Sequence, residues 1–266
     1  MKIGIVCYPT FGGSGVLATE LGIELSKKGY EIHFITYNQP VKLELLSNKV
    51  HYHEVMVPDY PLFHYQPYEL ALSTKVVDMV KKHEIELLHV HYAIPHAYAA
   101  YMAKNMLKYE GINIPVVTTL HGTDITLVGS HPSYKAAVEF SINKSDAVTA
   151  VSESLKKDTE ELFNINTNIE VIPNFINLDK YPSERKEKTR NIIAENDEKI
   201  ICHISNFREV KRIDDVINIF YNINKKIPSK LMMVGEGPEK VNAEKLCKKL
   251  KIKDNVFFFG NTNETI

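Results

Sequence analysis

Arg208, Lys211 and Arg212 stand in the run Ser205-Asn206-Phe207-Arg208-Glu209-Val210-Lys211-Arg212, between a strand-like and a helix-like segment. Arginine can grip phosphate oxygens through two parallel hydrogen bonds, and lysine adds a mobile point charge. The partial positive charge at a helix N-terminus reinforces both. The combination suits a diphosphate leaving group. Taken alone, the same residues would also serve as a solvated basic cap.

A second anion cradle lies near the start of the chain. The strand-like run Lys2 to Pro9 leads into Gly12-Gly13-Ser14-Gly15 and then an amphipathic stretch. Such a turn aims free backbone N–H groups at a phosphate or carboxylate. Ser14 is expected at the helix N-cap, using its hydroxyl locally. The spacing is not G-x-G-x-x-G, and residues 36–39 are Thr-Tyr-Asn-Gln, without the acid that binds ribose. A nicotinamide dehydrogenase is therefore disfavoured.

Histidines mark two further loops. In His89-Val90-His91-Tyr92-Ala93-Ile94-Pro95-His96, the first two histidines share one strand face. No carboxylate is near in sequence, so a structural or substrate-contacting role is expected rather than a metal site. Tyr92, just past the strand, is placed to reach into a cleft. In Thr118-Thr119-Leu120-His121-Gly122-Thr123-Asp124, His121 falls at a strand's carboxyl end, where α/β proteins place ligand contacts. Asp124 either orients the imidazole or caps the next segment. Ser152 reads as a helix cap and Asn174 as a turn residue. Gly235-Glu236-Gly237-Pro238 repeats the strand–glycine–helix pattern, as a backbone approach to a nucleotide or as a plain turn.

The elements that must position these residues alternate. Strands are expected at 2–7, 31–36, 51–57, 87–91, 115–119, 146–150 and 169–172, and helices at 14–28, 68–83, 95–109, 133–144 and 152–163. The first helix should turn Leu17, Leu21 and Leu25 to one face. Alternation of this kind predicts an α/β fold with a parallel sheet covered on both faces. Residues 177–198 are polar and include Pro182, which reads as a linker with room for one short helix. Strands at 199–204, 231–234 and 256–259 and helices at 213–224 and 239–250 follow. The expected organisation is a Rossmann-like domain at 1–175, a linker at 176–198 and a partial second Rossmann-like domain at 199–266. A doubly wound unit has about five or six strands, so the second domain reads as truncated.

Bulk properties remove several classes. A net charge of -1 argues against general attraction to nucleic acid or membrane. No apolar run approaches the ~20 residues of a membrane span. Cys7, Cys202 and Cys247 are far apart, without zinc or disulfide spacing, and fit a reducing cytoplasm. A strand begins at once, leaving no room for a signal peptide.

In this order, YPTFGGSG at 8–15, HVHYAIPHA at 89–97, TTLHGTD at 118–124, VSESL at 151–155, VIPNFIN at 171–177, NFREVKR at 206–212 and VGEGPE at 234–239 resemble glycosyltransferase family 4, of the two-Rossmann GT-B type. The resemblance runs along the whole chain and is strongest to the malate-acceptor subgroup of bacillithiol biosynthesis. It implies transfer of GlcNAc from UDP-GlcNAc to the hydroxyl of L-malate, with retention and without a metal or other cofactor. It implies that Arg208 and Lys211 hold the diphosphate and stabilise the leaving group, with His121 against the transferred sugar. Ser14, Tyr92, Thr119 and Arg208 would surround the malate carboxylates. Gly13, Gly15, Gly235 and Gly237 would let donor and acceptor approach the backbone. The resemblance also implies front-face attack guided by the leaving phosphate.

Two departures stand out. The family's common Gly-Arg is Ser205-Asn206 here, and its donor-binding glutamate pair has its place beyond Ile266. These 266 residues alone are therefore expected to have little activity. Other readings are a family 4 enzyme with another acceptor, a sugar-nucleotide epimerase, or a non-catalytic binding fragment. A homo-oligomer is compatible with the sequence.

Overall fold

The computed structural model describes residues 1–266 apart from 11–12, 42, 44–47, 60, 62–63, 179–185, 196 and 261–266, and apart from the side chains of 186–189. Gly12 and part of the expected linker thus lie outside the described residues. The chain divides into two compact units, Met1–Phe175 and Ile176–Ile266.

In the first unit, β1 (Lys2–Val6), β2 (Glu31–Thr36), β3 (Val50–Glu54), β4 (Leu87–His91), β5 (Val116–Leu120), β6 (Ala147–Ala150) and β7 (Ile169–Val171) form one sheet. Its order is β3-β2-β1-β4-β5-β6-β7 and every pairing is parallel. The helices are α1 (Gly13–Lys27), α2 (Tyr68–His83), α3 (Tyr98–Tyr109), α4 (Pro132–Asn143) and α5 (Glu153–Leu162). Strand order reverses between β1 and β4, and such a switch point opens a crevice at the carboxyl ends of the strands.

Side-chain alternation along the strands feeds three clusters, two of which take in β1 and β2. Val6, Ile35, Leu88 and Val90 pack with Leu72 and Val76 of α2 and Ala99 and Ala103 of α3. Ile3, Ile5, Ile32 and Phe34 pack with Ala18 of α1. Burying each large aliphatic side chain stabilises the fold by about 1.5–3 kcal/mol.

Two expectations for α1 need correction. Its buried face is Gly15, Ala18, Thr19 and Gly22, whereas Leu17, Leu21 and Leu25 are only half-buried. The reason is proximity: a Cβ on Gly22 would lie 2.4 Å from Cζ of Phe34. The helix lies so close to the sheet that only small residues fit beneath it. Second, α1 begins at Gly13, so Ser14 sits inside the first turn and is not the N-cap. The helix expected from residue 95 starts at Tyr98, after a wide turn over Ala93–Ala97.

The second unit holds α6 (Lys186–Ile193), β8 (Lys199–Ile204), α7 (Ile213–Asn224), β9 (Ser229–Val234), α8 (Lys240–Lys249) and β10 (Val256–Phe258). Its sheet, ordered β10-β9-β8, is parallel throughout. The core contains Phe207, Ile217, Phe220, Leu231 and Met233. The described part of the expected linker belongs to this unit. There Arg190 donates through Nη2 to the Glu198 carbonyl at 2.6 Å, and Ile193 is buried.

Candidate active site

The sheet order places the carboxyl ends of β1, β4 and β5 side by side, and the loops leaving them carry the first group of site residues. Tyr92 follows β4 with φ of 85°, a left-handed conformation that is strained for so bulky a residue. Its N–H donates to the Thr119 carbonyl at 2.9 Å, which fixes it beside β5. Its hydroxyl lies 2.6 Å from that of Ser14. This bond, rather than helix capping, is what the Ser14 side chain does. The Tyr92 ring packs against Tyr8 and His121, with centroids 5.2 and 5.1 Å away. Burial raises the Tyr92 phenol above its ordinary range, so it is a neutral hydroxyl at pH 7.

His121, half-buried after β5, sets Nε2 2.9 Å from Nδ1 of His91. The other nitrogen of His91, Nε2, is buried with no partner among the described residues. An orphaned buried N–H is the rarer arrangement. The His91 proton therefore belongs on Nδ1, donating to His121. His121 then keeps its own proton on Nδ1, where it can be offered to a ligand. Burial, with His89 and His96 adding to it, lowers the His121 pKa to about 4. The imidazole is thus a neutral donor at pH 7.

Thr119 is engaged differently. Its hydroxyl lies 2.8 Å from His89 Nε2 and 2.8 Å from the Thr149 hydroxyl. One of its hydrogen-bonding positions remains free. It reaches the Tyr92–His121 group through the stacked rings of His89 and His91, whose centroids are 4.7 Å apart.

Asp124 resolves to a backbone clamp. One carboxylate oxygen accepts from Ala93 N at 2.9 Å, and the other accepts from His121 N at 3.2 Å and Gly122 N at 3.0 Å. It holds the loops after β4 and β5 to one another and touches no imidazole nitrogen. Burial raises its pKa, and these N–H groups oppose that rise. Asp124→Ala would leave three backbone donors short of a partner, at about 1–3 kcal/mol for each buried group. We expect calorimetry to show the melting midpoint lowered by roughly 10 °C, with Asp124→Asn, which keeps one acceptor oxygen, less affected.

The glycines divide by cause. A Cβ on Gly15 would lie 2.4 Å from the Tyr8 carbonyl oxygen and 2.5 Å from that of Thr10, so the chain's own packing requires glycine there. A Cβ on Gly13 meets nothing within 4 Å. Gly13 and the following N–H groups of α1 form a helix N-terminus suited to an anion.

In the second unit, Phe207 is fully buried with φ of 35°, and this anchor turns Arg208 outward. A short turn, Glu209–Lys211, leads to α7. Arg208 and Lys211 are exposed and form no ion pair among the described residues. Arg212 is spent on Asp215, one turn into α7. The three cations read together in the sequence therefore separate into two available charges and one structural one. The loop is seated on the glycines: a Cβ on Gly235 would lie 1.9 Å from the Ser205 carbonyl oxygen, and one on Gly237 would lie 2.1 Å from that of Asn206.

The missed features are the Asp124 clamp and the His91–His121 pair. The signal for the pair was the matched spacing of H-x-H and T-x-H on adjacent parallel strands, visible only once strand neighbours are known.

Comparison with known proteins agrees with this architecture. The description Glycosyltransferase Family 4 matches residues 11–180, and Glycosyl transferases group 1 matches residues 184–266. N-acetyl-alpha-D-glucosaminyl L-malate synthase of Bacillus anthracis is 46% identical over 98% of this chain and 68% of its own length. Among solved structures, a glycosyltransferase from Rickettsia africae ESF-5 superposes with a TM-score of 0.75 at 20% identity, covering 98% of this chain and 68% of that one. Anabaena Alr3699/HepE in complex with UDP-glucose also gives 0.75, at 16% identity over 98% of this chain and 69% of that one. These structures share the GT-B fold. The chain belongs to glycosyltransferase family 4.

Proposed function

We propose that this chain carries the acceptor domain and part of the donor domain of a retaining enzyme that transfers GlcNAc from UDP-GlcNAc to the hydroxyl of L-malate, a step of bacillithiol biosynthesis. The observation that carries this reading is the Ser14–Tyr92 hydroxyl pair at the N-terminus of α1, with the Tyr92 ring against His121. Two hydroxyls and a helix N-terminus suit a small dicarboxylate. The 46% identity to the malate synthase supports the same acceptor.

In this reading, Arg208 and Lys211 bind the diphosphate, and their contacts strengthen as charge grows on the leaving oxygen. They take the role a metal ion plays elsewhere. His121 donates from Nδ1 to a hydroxyl of the sugar. Gly235 and Gly237 seat the donor-side loop, Gly13 and Gly15 shape the acceptor loop, and Thr119 adds a polar wall. The malate hydroxyl forms its bond to the anomeric carbon on the face from which UDP departs. Its proton passes to the leaving phosphate oxygen, so UDP leaves as the bond to it breaks.

Both substrates are water-soluble, and a cytoplasmic setting belongs to this reading. Among the described residues no helix is long and apolar enough to cross a membrane.

The test is UDP release from UDP-GlcNAc with and without L-malate, on protein continued to the length of the Bacillus anthracis relative. We expect release that depends on malate and an α-linked product by NMR. Malate-independent conversion of UDP-GlcNAc to another sugar nucleotide, without matching UDP release, would replace this reading with an epimerase. Release with a different acceptor alone would reassign the acceptor.

A further inference from the structure

Four histidines and a glutamate meet away from the loops just described. Glu31 and His33 lie on β2, His51 and His53 on β3, and His83 closes α2. β2 and β3 are parallel, with His33 opposite His51 and Ile35 opposite His53. Side chains two apart share a sheet face, so the register brings all four strand residues to one side. The end of α2 brings His83 over them. Glu31 opens β2, and α2 ends just before β4 begins. The group therefore sits toward the amino-end edge of the sheet, opposite the edge that carries Tyr92 and His121.

The nitrogens converge. His33 is fully buried, with Nδ1 2.9 Å from His53 Nε2 and Nε2 3.2 Å from a carboxylate oxygen of Glu31. The ring centroid of His83 is 4.8 Å from that of His33 and 4.7 Å from that of His53. One ligand atom from each of His33, His53 and His83 lies within 4.8 Å of the other two. His51 stacks on His33 at 4.7 Å, and its buried Nε2 is 3.2 Å from the same Glu31 oxygen without a hydrogen bond.

A satisfied core histidine would explain one such ring. It does not explain three imidazoles turned toward one point with a carboxylate behind the buried one. A carboxylate on the far nitrogen is the usual support of a metal-bound histidine, because it fixes the tautomer and makes the ligating nitrogen more basic. Hard cations are disfavoured, since they want several oxygens and only Glu31 supplies one. Lys75 faces His53, and Lys82 and Lys2 face His83, so the ion must be held by nitrogen donation rather than by net negative charge.

We propose that His33, His53 and His83 bind one divalent transition-metal ion of the zinc type, with Glu31 holding the His33 ring from behind. The ion would join β2, β3 and α2, and its role is to fasten this edge of the first unit. The site is independent of the transfer reaction and does not rest on it.

The test uses the 266-residue protein. Zinc chloride is titrated calorimetrically at pH 7.5, with magnesium chloride as control, and the zinc-loaded protein is measured by X-ray absorption. We expect one zinc per chain, nitrogen neighbours at about 2.0–2.1 Å, a raised melting midpoint and no magnesium binding. His53→Ala and His83→Ala should each weaken zinc at least tenfold, and Glu31→Gln by about 10–100-fold. His64→Ala, which removes an exposed histidine elsewhere, should change nothing. His83 is only half-buried, so His83→Ala decides the matter if His53→Ala fails to fold. No zinc uptake, or uptake as strong in His83→Ala as in the unaltered chain, would overturn the site.

Discussion

Arg208→Ala and Lys211→Ala are each expected to lower kcat/KM for UDP release by about 10²–10³, with little change in melting temperature. Both side chains are exposed and neither forms an ion pair among the described residues. Their removal costs the fold little, since exposed changes of this kind usually shift stability by no more than about 0.5 kcal/mol. Removing one group aimed at a developing anion typically costs catalysis about 2.7–4 kcal/mol. Arg208→Lys should recover only part of the loss, because it restores charge without the two-pronged grip. Arg212→Ala is the comparison: its guanidinium is committed to Asp215, so its loss should act mainly on α7. Activity within threefold of the unaltered enzyme in both Arg208→Ala and Lys211→Ala would remove these residues from the mechanism.

Acid should unfold the first unit well before it protonates ordinary carboxylates. His89, His96 and His121 each have a pKa lowered to about 4 by burial, and burial also lowers that of His91 well below its ordinary value. In the unfolded chain these groups titrate near 6.5. Between those values the unfolded state binds more protons, so stability rises with pH and is lost as pH falls from about 6.5 toward 4. His96 is fully buried and alone accounts for about 3 kcal/mol across that window. Asp124, with its pKa raised, acts in the opposite sense and offsets a small part. Total stabilities are about 5–15 kcal/mol, so a few such histidines decide the outcome. Thermal midpoints followed by circular dichroism from pH 7.5 to 4.5 should fall steadily, by more than about 15 °C in all. A flat profile would mean that these rings are hydrated in solution. His96→Leu should flatten the slope selectively.

What could be read from the sequence followed local periodicity. Strand β2 and helix α2 fall where alternation and helical spacing put them, because each signal is complete within its own segment. The buried face of α1 is not legible in the sequence because it consists of Gly15, Ala18, Thr19 and Gly22, which carry almost no hydropathy signal. That helix is placed by closeness to Phe34 rather than by large side chains. The pairing of Arg212 with Asp215 was also hidden, since Arg208, Lys211 and Arg212 all lie near Asp214 and Asp215 in sequence and only the fold selects which pair closes. The histidine group on β2, β3 and α2 needs the β2–β3 register and the path of α2. No spacing within a single segment reveals it.

The backbone contact between the two loops of the second unit has a consequence for natural variation. Gly235 and Gly237 lie where any side chain would strike the carbonyls of Ser205 and Asn206, the residues that lead directly to Arg208. A replacement at either glycine would therefore push on the arginine's own support. Such an allele would keep both cations on paper and lose their aim, so it behaves as an arginine mutation written some thirty residues away.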